Sequence, residues 1–150
     1  MKHLFIVLLI LLFCPLYINA QSKIGLGLGN RGIVIKSFPA GIFRYSLRME
    51  PDIRFFFGFN ADLDLGFNLL REEKATLYLT LGGGIQSYDV NFDAGEFYFF
   101  KIPLGVEFFP FEKRNLSVAA EAFPIAYMNW FRFEVDNIRM EGMVEITYYF

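Results

Sequence analysis

Residues 53–70 read IRFFFGFNADLDLGFNLL, and apolar side chains occupy alternate positions in this stretch. The odd-numbered residues from Ile53 to Leu69 are all apolar, whereas most even-numbered residues are polar or glycine, as at Asp62 and Asp64. A period of two places successive side chains on opposite faces of a β-strand, while a helix needs a period of about 3.6. The stretch therefore predicts a strand with one apolar and one polar face.

The same alternation runs through the chain beyond residue 22. The last residues repeat it, with Val144 and Phe150 on one face and Glu141 and Glu145 on the other. We expect eight strands, at residues 23–29, 32–38, 43–50, 61–70 (or starting at 53), 75–85, 98–110, 116–127 and 139–150. The connections after the second, fourth and sixth of these are short and those after the fifth and seventh are longer, which is typical of outer-membrane barrels.

Composition narrows the classes of function. The chain has 150 residues, a formal net charge of −2, one His and one Cys. A near-neutral charge argues against a nucleic-acid partner, which normally requires a basic surface. His3 and Cys14 lie in the first 20 residues, so the rest of the chain lacks the imidazole and thiol of zinc sites, serine triads and cysteine nucleophiles. We expect no catalytic activity, no cofactor and no metal site.

The first 20 residues, MKHLFIVLLILLFCPLYINA, have the layout of a secretory signal peptide. Lys2 and His3 precede an apolar run from Leu4 to Cys14, and Ala20 is a small residue at the expected cleavage site. The run is shorter than the roughly 20 apolar residues that a membrane-spanning helix needs. We expect residues 1–20 to be removed on export, which leaves residues 21–150 as one barrel domain.

The polar face favours the lumen of a narrow barrel over a solvent-exposed surface. It contains glycines, which suit a crowded interior, at positions 25, 27, 29, 66, 82, 84 and 105. It also carries charges of both signs, which would need one another inside a closed barrel. These charged residues are Lys36, Arg44, Arg48, Asp62, Asp64, Lys101, Glu107, Glu121, Glu141 and Glu145.

Aromatic residues cluster near both ends of the predicted strands, as in the two interfacial girdles of membrane barrels. One cluster contains Phe108, Phe109, Phe111, Tyr148, Tyr149 and Phe150, and the other contains Tyr127, Trp130, Phe131 and Phe133. The apolar faces carry no charge, and Lys or Arg facing lipid at mid-bilayer would cost about 2–4 kcal/mol. The predicted fold is therefore all-β: a single eight-stranded antiparallel up-and-down transmembrane β-barrel with its apolar face outside. Pro103 and Pro124 fall inside predicted strands, where each needs a bulge or a gap.

From residue 23 onward the chain resembles the small eight-stranded outer-membrane β-barrel proteins of Gram-negative bacteria. The resemblance rests on IGLGLG at 24–29, on IPLGVE at 102–107 and on a closing strand that ends in Phe150. It implies that Ile146, Tyr148 and Phe150 form the signal that barrel-assembly machinery recognises, although position 145, where the family pattern has glycine, is Glu145 here. It also implies residence in the outer membrane, in contact with its lipid and with lipopolysaccharide.

Few catalytic, metal-binding or transport functions are compatible with such a barrel. Asp62 and Asp64 share a strand face, so they could form a catalytic or cation-binding pair, but we expect salt-bridge partners in the lumen. Side chains fill an eight-stranded lumen, so we expect no open pore.

Alternation resumes out of phase beyond two of the predicted strands, at Tyr88, Val90 and Phe92 and again at Phe131, Phe133 and Val135. These runs predict strands that project beyond the membrane and can pair with a partner strand. We therefore expect a structural or surface-interaction role, such as adhesion to or docking of a surface protein. The alternative is an exported soluble lipocalin-like barrel that carries a small apolar ligand.

Overall fold

The computed structural model describes residues 23–52, 58–87, 97–129 and 134–150, and all regular structure in these residues is β-strand. The strands are β1 (Ile24–Gly29), β2 (Gly32–Ser37), β3 (Phe43–Asp52), β4 (Gly58–Arg71), β5 (Ala75–Ser87), β6 (Phe97–Lys101), β7 (Leu104–Phe108), β8 (Leu116–Asn129) and β9 (Glu134–Tyr149). The possible start of the fourth strand at residue 53 and the alternating runs at 88–92 and 131–133 lie outside the described residues.

Neighbouring strands are antiparallel around a closed barrel. Their order is β4, β3, β2, β1, β9 and β8, followed by β7 and β6 as two parts of one strand, and then β5, which pairs back with β4. The predicted closed barrel of eight antiparallel strands is confirmed.

The strand predicted at residues 98–110 is interrupted at Ile102 and Pro103, and the register with β8 continues unchanged on the far side. The Pro103 carbonyl accepts a hydrogen bond from the Thr80 N–H at 2.9 Å, and the Pro124 carbonyl accepts one from the Ile102 N–H at 3.3 Å. Neither proline has an N–H group, so the second hydrogen bond of each residue pair is missing. The two missing hydrogen bonds therefore lie on opposite edges of the interrupted strand, one toward β5 and one toward β8, and neither requires a bulge.

The last strand begins at Glu134, before the predicted start at residue 139. A bulge shifts the register between β8 and β9 at Tyr127 and Met128. Even-numbered side chains of β9 are exposed from Ile138 onward, whereas Val135 is exposed on the other side of the bulge. The bulge accounts for the change of phase that the sequence shows near residue 135.

The apolar face lies on the outside of the barrel, as predicted. Large apolar side chains are exposed along the wall, among them Leu26, Leu28, Leu65, Phe67, Leu81, Phe100, Leu104, Val106, Val118, Val144 and Ile146. The alternate side chains point inward and fill the lumen.

Candidate functional site

The lumen holds the charged residues that alternation assigned to the polar face. Buried members of this set are Lys36, Arg44, Arg48, Asp64, Lys101, Glu107, Glu121 and Glu145. Asp62 and Glu141 also point inward, with 12% and 27% of their side-chain surfaces exposed. Most of these groups form a single connected set of ion pairs, which we call the deep network; Glu141 does not belong to it.

Glu107 on β7 is one centre of the deep network and is fully buried. Its carboxylate lies 2.8 Å from Nζ of Lys36 and 3.2 Å from Nη2 of Arg44. It also accepts hydrogen bonds from the hydroxyls of Ser117 at 2.6 Å and Tyr149 at 2.5 Å. Two cations and two hydroxyls from four other strands therefore surround one carboxylate.

Arg48 on β3 is the second centre. Its guanidinium donates to Asp64 and, at 2.7 Å, to Glu121. Tyr78 donates its own hydroxyl to the same Glu121 oxygen at 2.7 Å. Nζ of Lys101 lies 3.3 Å from the Asp64 carboxylate. The carboxylates on β4 and β8 are thus tied to cations on β3 and β6.

Asp62 and Glu145 complete the deep network. Asp62 accepts a hydrogen bond from Lys101 at 2.7 Å and lies 3.6 Å from Arg48. Glu145 contacts Lys36 and lies 3.7 Å from Nε of Arg48, so it joins the two centres. Every carboxylate of the deep network has at least one cationic partner, and Asp62 and Asp64 share theirs. The arrangement fixes strands to one another across the lumen.

Glycines on the inner face make room for the deep network and for the tyrosines that donate hydrogen bonds to it. A Cβ atom added at Gly105 would lie 2.5 Å from Oη of Tyr78, and one added at Gly82 would overlap the Asp64 carboxylate. A Cβ at Gly25 would come within 2.6 Å of the Tyr149 ring. These close approaches explain why the polar face is rich in glycine.

An aromatic cluster fills the lumen at the end with the short connections. The rings of Phe38, Phe109 and Tyr149 pack with centroids 5.0–6.1 Å apart, and Arg114 stacks 4.4 Å from the Phe109 centroid. The prediction that Phe109 and Tyr149 belong to an outer girdle is wrong, because both are buried inside. Their neighbours Phe108, Phe111, Tyr148 and Phe150 are exposed on the outside.

The other end of the lumen contains an apolar cluster, formed by Phe99, Phe123, Ile125 and Met143. Tyr127 packs against this cluster and its ring lies 5.9 Å from that of Phe99, so Tyr127 also points inward and not into a girdle. Trp130, Phe131 and Phe133 lie outside the described residues.

A smaller ion cluster lies at the rim beside the β1–β2 turn. Arg31 in that turn donates to Glu141 at 2.6 Å and to Glu50 at 3.2 Å. Burial opposes the charged form, but the two carboxylates outweigh it and raise the pKa of Arg31 above its ordinary value. Glu141 therefore pairs at the rim and not in the deep network. Sequence reasoning missed both Arg31 and Glu50. Arg31 lies in a turn, outside the alternation that identified the other charges, whereas Glu50 has the same parity as Arg44 and Arg48 on β3 and could have been assigned to the polar face from the sequence.

The residues predicted as an assembly signal lie together on the outer wall. Ile146, Tyr148 and Phe150 are all exposed, and the rings of Tyr148 and Phe150 are 5.2 Å apart. Their role in assembly stays a prediction.

Comparison with known proteins identifies no relative: no family model, no curated protein and no solved structure matches this chain. Within the described residues, no helix has the length and apolar character needed to cross a membrane. The same part of the chain contains no group of His, Cys, Asp and Glu residues arranged to hold a metal ion.

Proposed function

We propose that the protein is a small integral outer-membrane β-barrel with a structural or surface-interaction role, exported with residues 1–20 as its signal peptide. One observation carries the proposal: the wall separates charged side chains inside from apolar side chains outside. Hydrocarbon chains are the surroundings that such an outer face matches, because they neither solvate charges nor penalise exposed leucine and phenylalanine.

The height of the uncharged outer surface supports the same proposal. Outward positions of β8 from Leu116 to Ala126 carry no charge. At about 3.3 Å per residue and a tilt of about 40°, this stretch rises about 25 Å, the height of the apolar band of outer-membrane barrels.

The alternative, a soluble carrier of an apolar ligand, requires the opposite arrangement of faces. Its interior should be an apolar cavity, but here Arg48, Glu107 and Lys101 occupy the middle of the lumen. Its exterior should be polar, yet the outer wall would present apolar side chains to water over an area far larger than soluble proteins normally expose. Both features favour the membrane barrel.

The experiment is to place an arginine on the outer wall. Val106 lies on β7 with its side chain exposed, and Val106→Arg should lower the free energy of unfolding in lipid vesicles by about 2–4 kcal/mol. Glu73→Arg, in the exposed β4–β5 turn, is the matched control and should change it by less than about 0.5 kcal/mol. Partition of the mature protein into detergent and heat-dependent gel mobility give an independent measurement. A mature protein that stays in solution without detergent, together with a neutral Val106→Arg, would favour the soluble carrier.

A further inference from the structure

The β1–β2 hairpin is too short to cover its neighbour β9. β1 pairs with β9 only from Gly25↔Tyr149 to Gly29↔Glu145, and Asn30 adds one further contact at Val144. β9 itself continues to Glu134, paired with β8 on its other side. Among the described residues, no strand covers the β1 side of β9 beyond Val144.

The backbone groups on this open side can be assigned residue by residue. The Val144 N–H donates to the Asn30 side chain at 3.0 Å, and the Val144 carbonyl accepts from the Asn30 N–H at 3.1 Å, so both groups face β1. Alternate residues of an antiparallel strand direct their N–H and C=O to the same edge. The N–H and C=O of Gly142, Met140 and Ile138 therefore point into the gap above the hairpin. We call this the open edge.

The side chains beside the open edge are apolar and strongly exposed. Met140 and Ile138 expose 72% and 69% of their surfaces on the outer face. Water would satisfy the open backbone groups but not these side chains, and lipid would satisfy the side chains but leave the N–H and C=O groups unpaired. A strand with apolar side chains on its outer face satisfies both.

The described end of the facing edge across the gap offers no backbone donor to such a partner. The Tyr45 N–H of β3 points toward β2, where it donates to Ser37, so by alternation position 51 points the same way, into the gap. That residue is Pro51, which has no N–H to offer, and proline is a common means of blocking an edge strand. Of the described residues at the two edges, those of β9 are therefore the better match for a partner strand.

The inner face of β9 adds a charge requirement. Arg139 is exposed between Met140 and Ile138, and its guanidinium lies 6.0 Å from the Tyr127 ring. An acidic side chain on the inner face of a partner strand would complement this charge.

We propose that the open edge of β9, from Ile138 to Gly142, binds an extended segment of another polypeptide, with apolar side chains on its outer face and a carboxylate opposite Arg139. This inference rests on the proposed surface-interaction role and names its site and the chemistry of its partner. Recognition would be by backbone hydrogen bonds, with specificity from alternate side chains.

The test uses a synthetic peptide of alternating valine and threonine in which one central threonine is replaced by glutamate. Amide hydrogen exchange is measured at Ile138, Met140 and Gly142 in the purified protein in detergent micelles. At about ten times its Kd the peptide should slow exchange at these amides about tenfold, because only about one molecule in eleven then remains free to exchange. A peptide with lysine in place of glutamate should bind more weakly because it faces Arg139.

Two variants at one position separate the backbone from the side chain. Met140→Pro removes an edge N–H without removing a bond to β8, because Met140 is paired with Pro124 there and directs its N–H away from β8. Met140→Pro should abolish the slowing of exchange that the peptide causes at Ile138 and Gly142. Met140→Ala keeps the N–H group of residue 140 and should retain that slowing.

Three results would overturn the proposal: no slowing by the glutamate peptide, equal protection in Met140→Pro, or protection without peptide that rises with protein concentration. The last result would identify a second copy of this chain as the occupant. The exchange measurement can also be made in plain buffer. A protein that proves soluble would therefore contradict the membrane location, and the peptide result would still test whether the open edge binds a strand.

Discussion

Replacing Glu107 with glutamine tests the deep network at its most connected carboxylate. The substitution keeps the shape of the side chain but removes the charge that contacts Lys36 at 2.8 Å and Arg44 at 3.2 Å. Hydrogen bonds to a charged group contribute about 1 kcal/mol more than neutral ones, and Glu107 takes part in four such contacts. Breaking a buried ion pair on one side costs about 3–5 kcal/mol, so we expect Glu107→Gln to lower the free energy of unfolding by about that amount.

Urea unfolding in lipid vesicles, followed by heat-dependent gel mobility and by circular dichroism, measures this loss. Glu112→Gln, in the exposed turn between β7 and β8, makes the same chemical change outside the lumen and should shift the free energy by less than about 0.5 kcal/mol. If Glu107→Gln stays within about 1 kcal/mol of the unsubstituted protein, the loss expected for an unpaired buried charge is absent and the reasoning is refuted.

Four further outcomes are expected. Tyr149→Phe removes a donor to Glu107 and should cost about 1–3 kcal/mol in the same unfolding assay, with no change of fold by circular dichroism. Gly105→Val forces a branched side chain against Tyr78 and should cost about 1–3 kcal/mol; a neutral result would mean that the inner wall is not closely packed there. Deleting Phe150 should reduce the fraction of protein recovered in outer-membrane fractions of expressing cells, and unchanged recovery would contradict its role as an assembly signal. Purified protein in planar bilayers should show no stable conductance steps, whereas porin-like steps would show that the lumen opens.

Alternation predicted most of the wall because the side-chain period of a strand can be read without knowing its neighbours. It did not predict how Pro103 and Pro124 are accommodated, since that depends on the edge toward which each missing N–H points. The girdle prediction for Phe109 and Tyr149 is wrong because it gives nearness to the strand ends more weight than parity. Both residues occupy inward positions in the alternation of their own segments, so parity alone would have placed them in the lumen.

The sequence does not predict which residues form ion pairs within the deep network, and the reason is different. Lys36 and Glu145 are 109 positions apart and meet only because of the stagger between strands of the closed barrel. Residue types and faces are local properties, but the register that joins β2 to β9 through β1 is set by closure of the whole sheet. The identity of the charged residues could therefore be predicted, and their partners could not.

The order in which the deep charges occur along the chain bears on how the barrel is assembled. Within the deep network β2 and β3 contribute the cations Lys36, Arg44 and Arg48, and β7, β8 and β9 contribute the carboxylates Glu107, Glu121 and Glu145. Asp62 and Asp64 on β4 and Lys101 on β6 lie between these two groups in the chain. If the barrel is inserted into a membrane as proposed, an incomplete sheet of β1–β4 would pair Arg48 with Asp62 and Asp64 but leave Lys36 and Arg44 without their carboxylates, and an unpaired charge in the bilayer is costly. Lys36 and Arg44 gain their carboxylate partners only with β7 and β9, so insertion hairpin by hairpin is disfavoured and the two ends of the chain attract each other as the seam closes.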